Sequence, residues 1–170
     1  MELQKEEGLT VIHPFDDNAI IAGQGTIGLE ILEQLPSVES VVVPVGGGGL
    51  ISGIALAIKT LKPSCKIYGV EAGSSPSMRE SVSRGEATEV VSLRTIADGI
   101  AVKKPGDLTL EYVKKYVDEI ITVSDYELME AFLLLVEKHK IIAENSGILS
   151  LAALKKLKEK NKKVVSVVSG

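Results

Sequence analysis

Short β-branched runs alternate along the chain with stretches whose apolar positions recur every three to four residues. The runs VVVPV (41–45), KIYGVE (66–71), EIITV (119–123) and VVSVV (164–168) read as strands, with weaker candidates near 9–13 and 89–93. Helical spacing fills the intervals 26–35, 50–61, 107–117, 125–138 and 146–160. In 26–35, Ile27, Ile31 and Leu35 share a face with Leu32 beside them, and Gly25 or Thr26 is placed to cap its start. In 125–138, Leu128, Ala131, Phe132 and Leu135 share a face, and Ser124 with Glu127 forms a capping box. VVVPV and VVSVV are apolar at consecutive rather than alternate positions, so both faces of those strands should be buried. That pattern belongs to a largely parallel sheet covered by helices on both faces. The expectation is one three-layer α/β domain over residues 1–170.

Composition narrows the class. The 170 residues suffice for one core, and 45% hydrophobic with 25% charged residues is ordinary for a soluble globular protein. A net charge of −4 and 4% aromatic residues supply neither a basic field nor stacking platforms, which speaks against nucleic acid. Residues 40–58 carry no charge, but Pro44, the four consecutive glycines and two serines make them strand, loop and helix rather than a membrane span. Cys65 is the single cysteine, so no internal disulfide forms and a cytoplasmic setting fits. His13 and His139 have no partner cluster in the sequence and read as structural or surface residues.

Gly46, Gly47, Gly48 and Gly49 follow one strand directly and precede one helix directly. Four glycines cost much backbone entropy, and a helix N-terminus presents free N–H groups with a partial positive charge. The expected use is an anion cradle, with a phosphate as its occupant. Spacing alone does not choose which phosphate. Gly48 and Gly53 have the separation of a Walker loop, but Ile54 stands where its lysine belongs. Gly47, Gly49 and Ser52 nearly match a dinucleotide fingerprint, and Glu71 ends the next strand where a ribose-binding acid would lie.

Further stretches add a resemblance that covers essentially the whole chain. DDNAIIAGQGTIGLEIL, GGGGLISGIA, TIADGIAVKKPGDLT, AENSGILSLAAL and VVSVVSG occur in the order found in threonine dehydratases. The sequence therefore resembles the fold type II enzymes that use pyridoxal 5′-phosphate (PLP), with serine racemases as the nearest alternative. The resemblance implies that the backbone of Gly46, Gly47, Gly48, Gly49 and Leu50 holds the PLP phosphate. It places Gly99 close to the cofactor ring, Glu144 near the cofactor, and the Ser169 hydroxyl at the pyridine nitrogen. A neutral hydroxyl there leaves the nitrogen largely unprotonated and the ring a weaker electron sink than an aspartate would, which suits loss of water. The implied reaction converts L-threonine to 2-oxobutanoate and ammonia, and L-serine to pyruvate. A non-catalytic phosphate- or nucleotide-binding module is the reading from another class.

Two features depart from the family pattern. No lysine stands in the serine-x-lysine context of the PLP-binding lysine. Lys59 and Lys62 fit a solvated helix face, and Lys103 and Lys104 a surface loop. The substrate-carboxylate loop of the same half is also missing. The chain thus reads as the C-terminal portion of a longer catalytic region, inactive alone, partnered by a missing N-terminal half and expected to self-associate through exposed apolar surface. Relatives carry a cation at the acid matching Glu71, and here Ser75 and Ser77 stand where a later acid would lie.

Overall fold

The computed structural model describes residues 6–91, 94–157 and 163–169. Four parallel strands, β1 (Ser40–Pro44), β2 (Lys66–Ala72), β3 (Glu119–Val123) and β4 (Val164–Ser166), form one sheet in the order β3-β2-β1-β4. Register pairs Val41 with Ile67 and with Val165, and Val70 with Ile121. Consecutive apolarity in β1 has the expected cause, since every residue of the strand is buried. Val41, Val43 and Val45 enter one core cluster, while Val42 enters the other on the opposite face.

The first cluster rests on α1 (Asn18–Gln34), α2 (Gly49–Leu61), α3 (Ser77–Arg84) and α4 (Asp107–Tyr116). The second rests on α5 (Asp125–Leu134) and α6 (Leu149–Ala153). Each layer removes apolar surface from water at about 25 cal/mol per Å², most completely over β1, whereas β4 at the sheet edge is only half-buried, short of the full burial expected for VVSVV. The expected three-layer parallel architecture is therefore the observed one.

Several element boundaries differ from the sequence expectation. The first helix starts at Asn18, eight residues before Thr26, and its cap is Asp17, whose carboxylate accepts the N–H groups of Ala19 and Ile20. Gly25 and Gly28 lie inside α1 because α2 crosses it closely there. A Cβ on Gly28 would stand 2.9 Å from the Ile54 carbonyl oxygen. Residues 9–13 form no strand, and neither do 89–91; residues 92 and 93 lie outside the described residues. The helix expected over 125–138 ends as α at Leu134 and runs through a π-helical turn, Leu135–His139, closed by Lys140 at φ 59°. That expected over 146–160 is α6 followed by a 3-10 turn at Leu154–Lys156, with 158–160 outside the described residues. The capping box at Ser124 and Glu127 is present as expected. Among the described residues, no helix is long and apolar enough to cross a membrane.

Lys59 is not solvated as expected. Its ammonium lies 2.7 Å from Asp118, which Lys66 also pairs at 2.7 Å and to which the Ile67 N–H donates. Burial pushes the Asp118 carboxyl up, but the hydrogen bonds from both lysines and from Ile67 outweigh it and hold the group below its ordinary value. Lys62 donates to the Pro36 carbonyl, and Lys104 sits 3.8 Å from Asp107 on the surface. Cys65 is buried, and burial pushes its thiol up, away from reactivity.

Candidate functional site

In a parallel sheet, ligands gather beyond the carboxyl ends of the strands. The glycine loop leaves β1 at that end and opens α2, whose N-cap is Gly48. A cavity of about 160 Å³ lies against it, walled by Phe15, Pro44, Gly46 to Gly49, Leu50, Ile51, Gly99, Ile100 and Ser169. Seven of the eight cofactor-binding positions expected from sequence thus meet on one small cavity. The eighth, Glu144, stands behind Gly99, where a Cβ on that glycine would lie 3.3 Å from its Oε1. Glu144 is exposed and is not part of the wall.

The glycines are required for a reason the sequence does not reveal. Their missing side-chain space is filled by this protein's own groups. A Cβ on Gly47 would enter the Phe15 ring, and one on Gly49 would lie 3.0 Å from the Phe15 Cβ. Gly48 adopts φ +97°, in the left-handed region, and a Cβ there would reach 2.5 Å from the Met78 methyl and 2.8 Å from Thr109. Packing on that side leaves the other side of the loop to the cavity. Among the described residues, no oxygen accepts from the N–H groups of Gly46, Gly47 or Gly48. Three unsatisfied donors at the N-terminus of a 13-residue helix suit an anionic oxygen cluster such as a phosphate.

The other walls are held from several directions. Ser169 follows β4, and Val167 N–H donates to Val42 while its carbonyl accepts the Ser150 hydroxyl at 2.5 Å. Gly147 passes so close to the Ser169 backbone that no Cβ fits between them. Gly99 belongs to a 3-10 turn, Asp98–Ile100. The approach to that turn is hung on the start of α5, where Thr95 Oγ1 donates to Asp125 at 2.6 Å and Ile96 N–H donates to its second oxygen. Asn145 secures the Ile96 carbonyl from α6's side.

Glu71 lies outside this cavity. It ends near the start of α3, 1% exposed, and its two oxygens accept the N–H groups of Met78 and Arg79 at 2.8 and 2.9 Å. Burial pushes its carboxyl up to about 7, against the opposing pull of those two hydrogen bonds. A residue so committed to capping a helix is closed to a ribose, which removes the dinucleotide reading's acid. Among the described residues, no group of three or more His, Cys, Asp and Glu side chains gathers to hold a metal ion.

Sequence reasoning missed Phe15 and Thr109. Phe15 touches the loop from 32 residues upstream, and Thr109 donates its hydroxyl to the Gly47 carbonyl at 2.6 Å from 62 residues downstream. Neither contact leaves a local pattern.

The sequence matches the family described as pyridoxal-phosphate dependent enzyme over residues 1–170. It is 55% identical to an L-threonine ammonia-lyase of Thermotoga maritima, over all of this chain and 43% of that protein. It is 50% identical to the catabolic L-threonine dehydratase TdcB of Staphylococcus aureus strain N315, over 99% of this chain and 50% of that protein. The chain thus spans about half the length of these curated relatives. Among solved structures, the processed form of threonine deaminase isoform 2 from Solanum lycopersicum superposes with a TM-score of 0.95 at 37% identity, covering 99% of this chain and 50% of that one. Maize serine racemase gives a TM-score of 0.94 at 38% identity, over 99% of this chain and 55% of that one. With a phosphate-suited glycine loop at the carboxyl end of a parallel sheet and a family match along its whole length, this chain belongs to the pyridoxal-phosphate dependent enzyme family.

Proposed function

We propose that this chain is the part of a threonine ammonia-lyase catalytic region that holds PLP by its phosphate and its pyridine nitrogen. The observation that carries the reading is the meeting of the glycine loop, Gly99 and Ser169 on one cavity, with three free N–H donors on the loop. The relatives named for threonine deamination support the substrate.

PLP, when bound, supplies an electron sink that withdraws charge from the α-carbon of an amino acid. This chain's residues set how that sink behaves. The N–H groups of Gly46 to Gly48, at the positive end of α2, would hold the phosphate. Ser169 would offer the pyridine nitrogen a neutral hydroxyl, which donates a hydrogen bond without delivering a full proton. Ile100 and Phe15 line the cavity with apolar wall and would keep water from the ring. The result favours loss of a β-hydroxyl from threonine or serine, giving 2-oxobutanoate or pyruvate with ammonia. The lysine and the substrate-carboxylate contacts fall to the preceding half of the catalytic region, which this reading requires as a partner. A cation at Glu71 is not part of it, because both oxygens already accept backbone hydrogens and Ser75 and Ser77 offer hydroxyls instead of a second acid.

The test is a PLP titration followed by absorbance, with inorganic phosphate as competitor and Gly47→Asp as the blocked control. Saturable binding of the free aldehyde, reversed by phosphate and absent in the control, supports the reading. Supplying the preceding half in trans should then yield 2-oxobutanoate from threonine. Silence in both experiments refutes it. Racemisation of serine without ammonia release would move the assignment to the serine racemase reading, which the maize structure represents.

A further inference from the structure

The glycine loop does not hold its own shape; a series of contacts from two distant segments does. Thr109 is fully buried, and its hydroxyl donates to the Gly47 carbonyl at 2.6 Å and lies 3.2 Å from the Gly106 carbonyl. The Gly106 N–H also reaches the Gly47 carbonyl oxygen, at 3.3 Å. Gly106 is the N-cap of α4 and has no side chain to cap it. Asp16 does so from far away in sequence, its Oδ1 accepting the Thr109 N–H at 3.0 Å. The Asp16 carboxylate fills the space where a Cβ on Gly106 would stand. Asp16 is fixed in turn, because its N–H donates to His13 Nδ1 at 2.8 Å and its neighbour Asp17 caps α1.

These contacts have a directional consequence. A peptide unit is planar and trans, so its C=O and N–H point opposite ways. Thr109 draws the Gly47 carbonyl toward α4, which turns the N–H of the same peptide, that of Gly48, away from α4. Gly48 has the φ of +97° that such an orientation needs, and its N–H has no acceptor among the described residues. Without Thr109 the peptide could flip and present a carbonyl oxygen to the anion.

We propose that Asp16 and Thr109 are positioning residues for the phosphate loop, fixing the Gly47–Gly48 peptide so that the Gly48 N–H faces a bound phosphate. This rests on the PLP reading above. It adds a role that a purely structural buried threonine would not have, namely a selective effect on the phosphate end of the ligand.

The experiment compares dissociation constants for PLP and for pyridoxal, which lacks the phosphate, using the whole chain. Thr109→Val should weaken PLP about tenfold, the equivalent of one misdirected hydrogen bond, and leave pyridoxal nearly unchanged. Thr109→Ser keeps the hydroxyl and should restore PLP affinity. Asp16→Asn keeps the accepting oxygen and should behave as the parent, whereas Asp16→Ala should follow Thr109→Val. Asp118→Asn, which weakens the contacts with Lys59, Lys66 and the Ile67 N–H at the opposite end of the sheet, is the control for destabilisation away from the loop and should not change the PLP-to-pyridoxal ratio. Equal weakening of both ligands by Thr109→Val, or failure of Thr109→Ser to restore binding, would overturn the proposal. A parent chain that binds neither ligand overturns the positioning role, and sinks the PLP reading as well if the preceding half supplied in trans also yields no 2-oxobutanoate; a parent that binds PLP beside an unaffected Thr109→Val sinks only the positioning role.

Discussion

Gly53 sits in the interior of α2, where alanine would ordinarily be the better helix former by about 1 kcal/mol. Its surroundings reverse that preference. A Cβ there would collide with the Ile21 carbonyl oxygen and approach the Gly25 nitrogen at 2.6 Å and the Gln24 carbonyl carbon at 2.8 Å. All three atoms are backbone of α1, so no side chain can rotate aside and one helix must move off the other. Overpacking of this kind costs about 1–3 kcal/mol, and a backbone obstacle belongs at the upper end. Subtracting the propensity gain leaves Gly53→Ala about 2 kcal/mol less stable than the parent. For a domain of this size that lowers Tm by about 4–8 °C. Gly23, also inside α1, is the internal control, because a Cβ there meets nothing within 4 Å. Gly23→Ala should therefore raise stability by about 0.5–1 kcal/mol. Urea and thermal denaturation of the two variants check both signs. If Gly53→Ala proves as stable as Gly23→Ala, the close crossing of α1 and α2 is not what demands glycine there.

Three other outcomes follow from named contacts. Glu71 has a folded-state value of about 7 against an ordinary 4.5, so the folded state keeps its proton longer than the unfolded chain does. Stability from this group is present below about pH 4.5 and lost as pH rises to about 7, a fall of about 3 kcal/mol. The difference between the parent and Glu71→Gln, followed by denaturation from pH 4 to 8, should shrink or reverse accordingly; a pH-independent difference would contradict the burial argument. Gly48→Ala puts a Cβ on a φ of +97° and against Met78 and Thr109, and should cost about 1–3 kcal/mol and abolish PLP binding by titration. Ser124→Ala removes a cap that accepts the Glu127 N–H and should cost about 1 kcal/mol in thermal melts, with PLP affinity unchanged.

The sheet was legible chiefly because β1 is short, continuously apolar and buried on both faces, as a covered parallel strand demands, whereas β4 at the edge is only half-buried. The loop was legible as a strand-to-helix turn rich in glycine, whereas Ser169 was marked only by the resemblance to threonine dehydratases; both line one cavity. What stayed hidden was decided at a distance. The start of α1 was obscured by Gly23 and Gly25, which look like breakers locally, although Gly25 is explained by the close approach of α2. Helix α3, SMRESVSR, shows little apolar periodicity, and it is fixed instead by the Glu71 cap reaching from β2. The solvated reading of Lys59 failed because Asp118 approaches it from just before β3. Residues 9–13 have strand composition, but no neighbouring strand among the described residues lies beside them to pair with, and Val11 and Ile12 are exposed.

The cavity's walls come from residues 15, 44, 46–51, 99–100 and 169, nearly the full span of the chain. No partial assembly can present it. Loops that long must close before any of the site exists, so the ability to bind a ligand is acquired late in folding and lost early in unfolding. A bound ligand therefore stabilises the chain as a whole rather than one lobe of it. At a hundred times its dissociation constant it would add about 2.7 kcal/mol to global stability. Protection from proteolysis should then spread to cleavage sites remote from the cavity, and the supply of cofactor during synthesis becomes a determinant of how much folded protein accumulates.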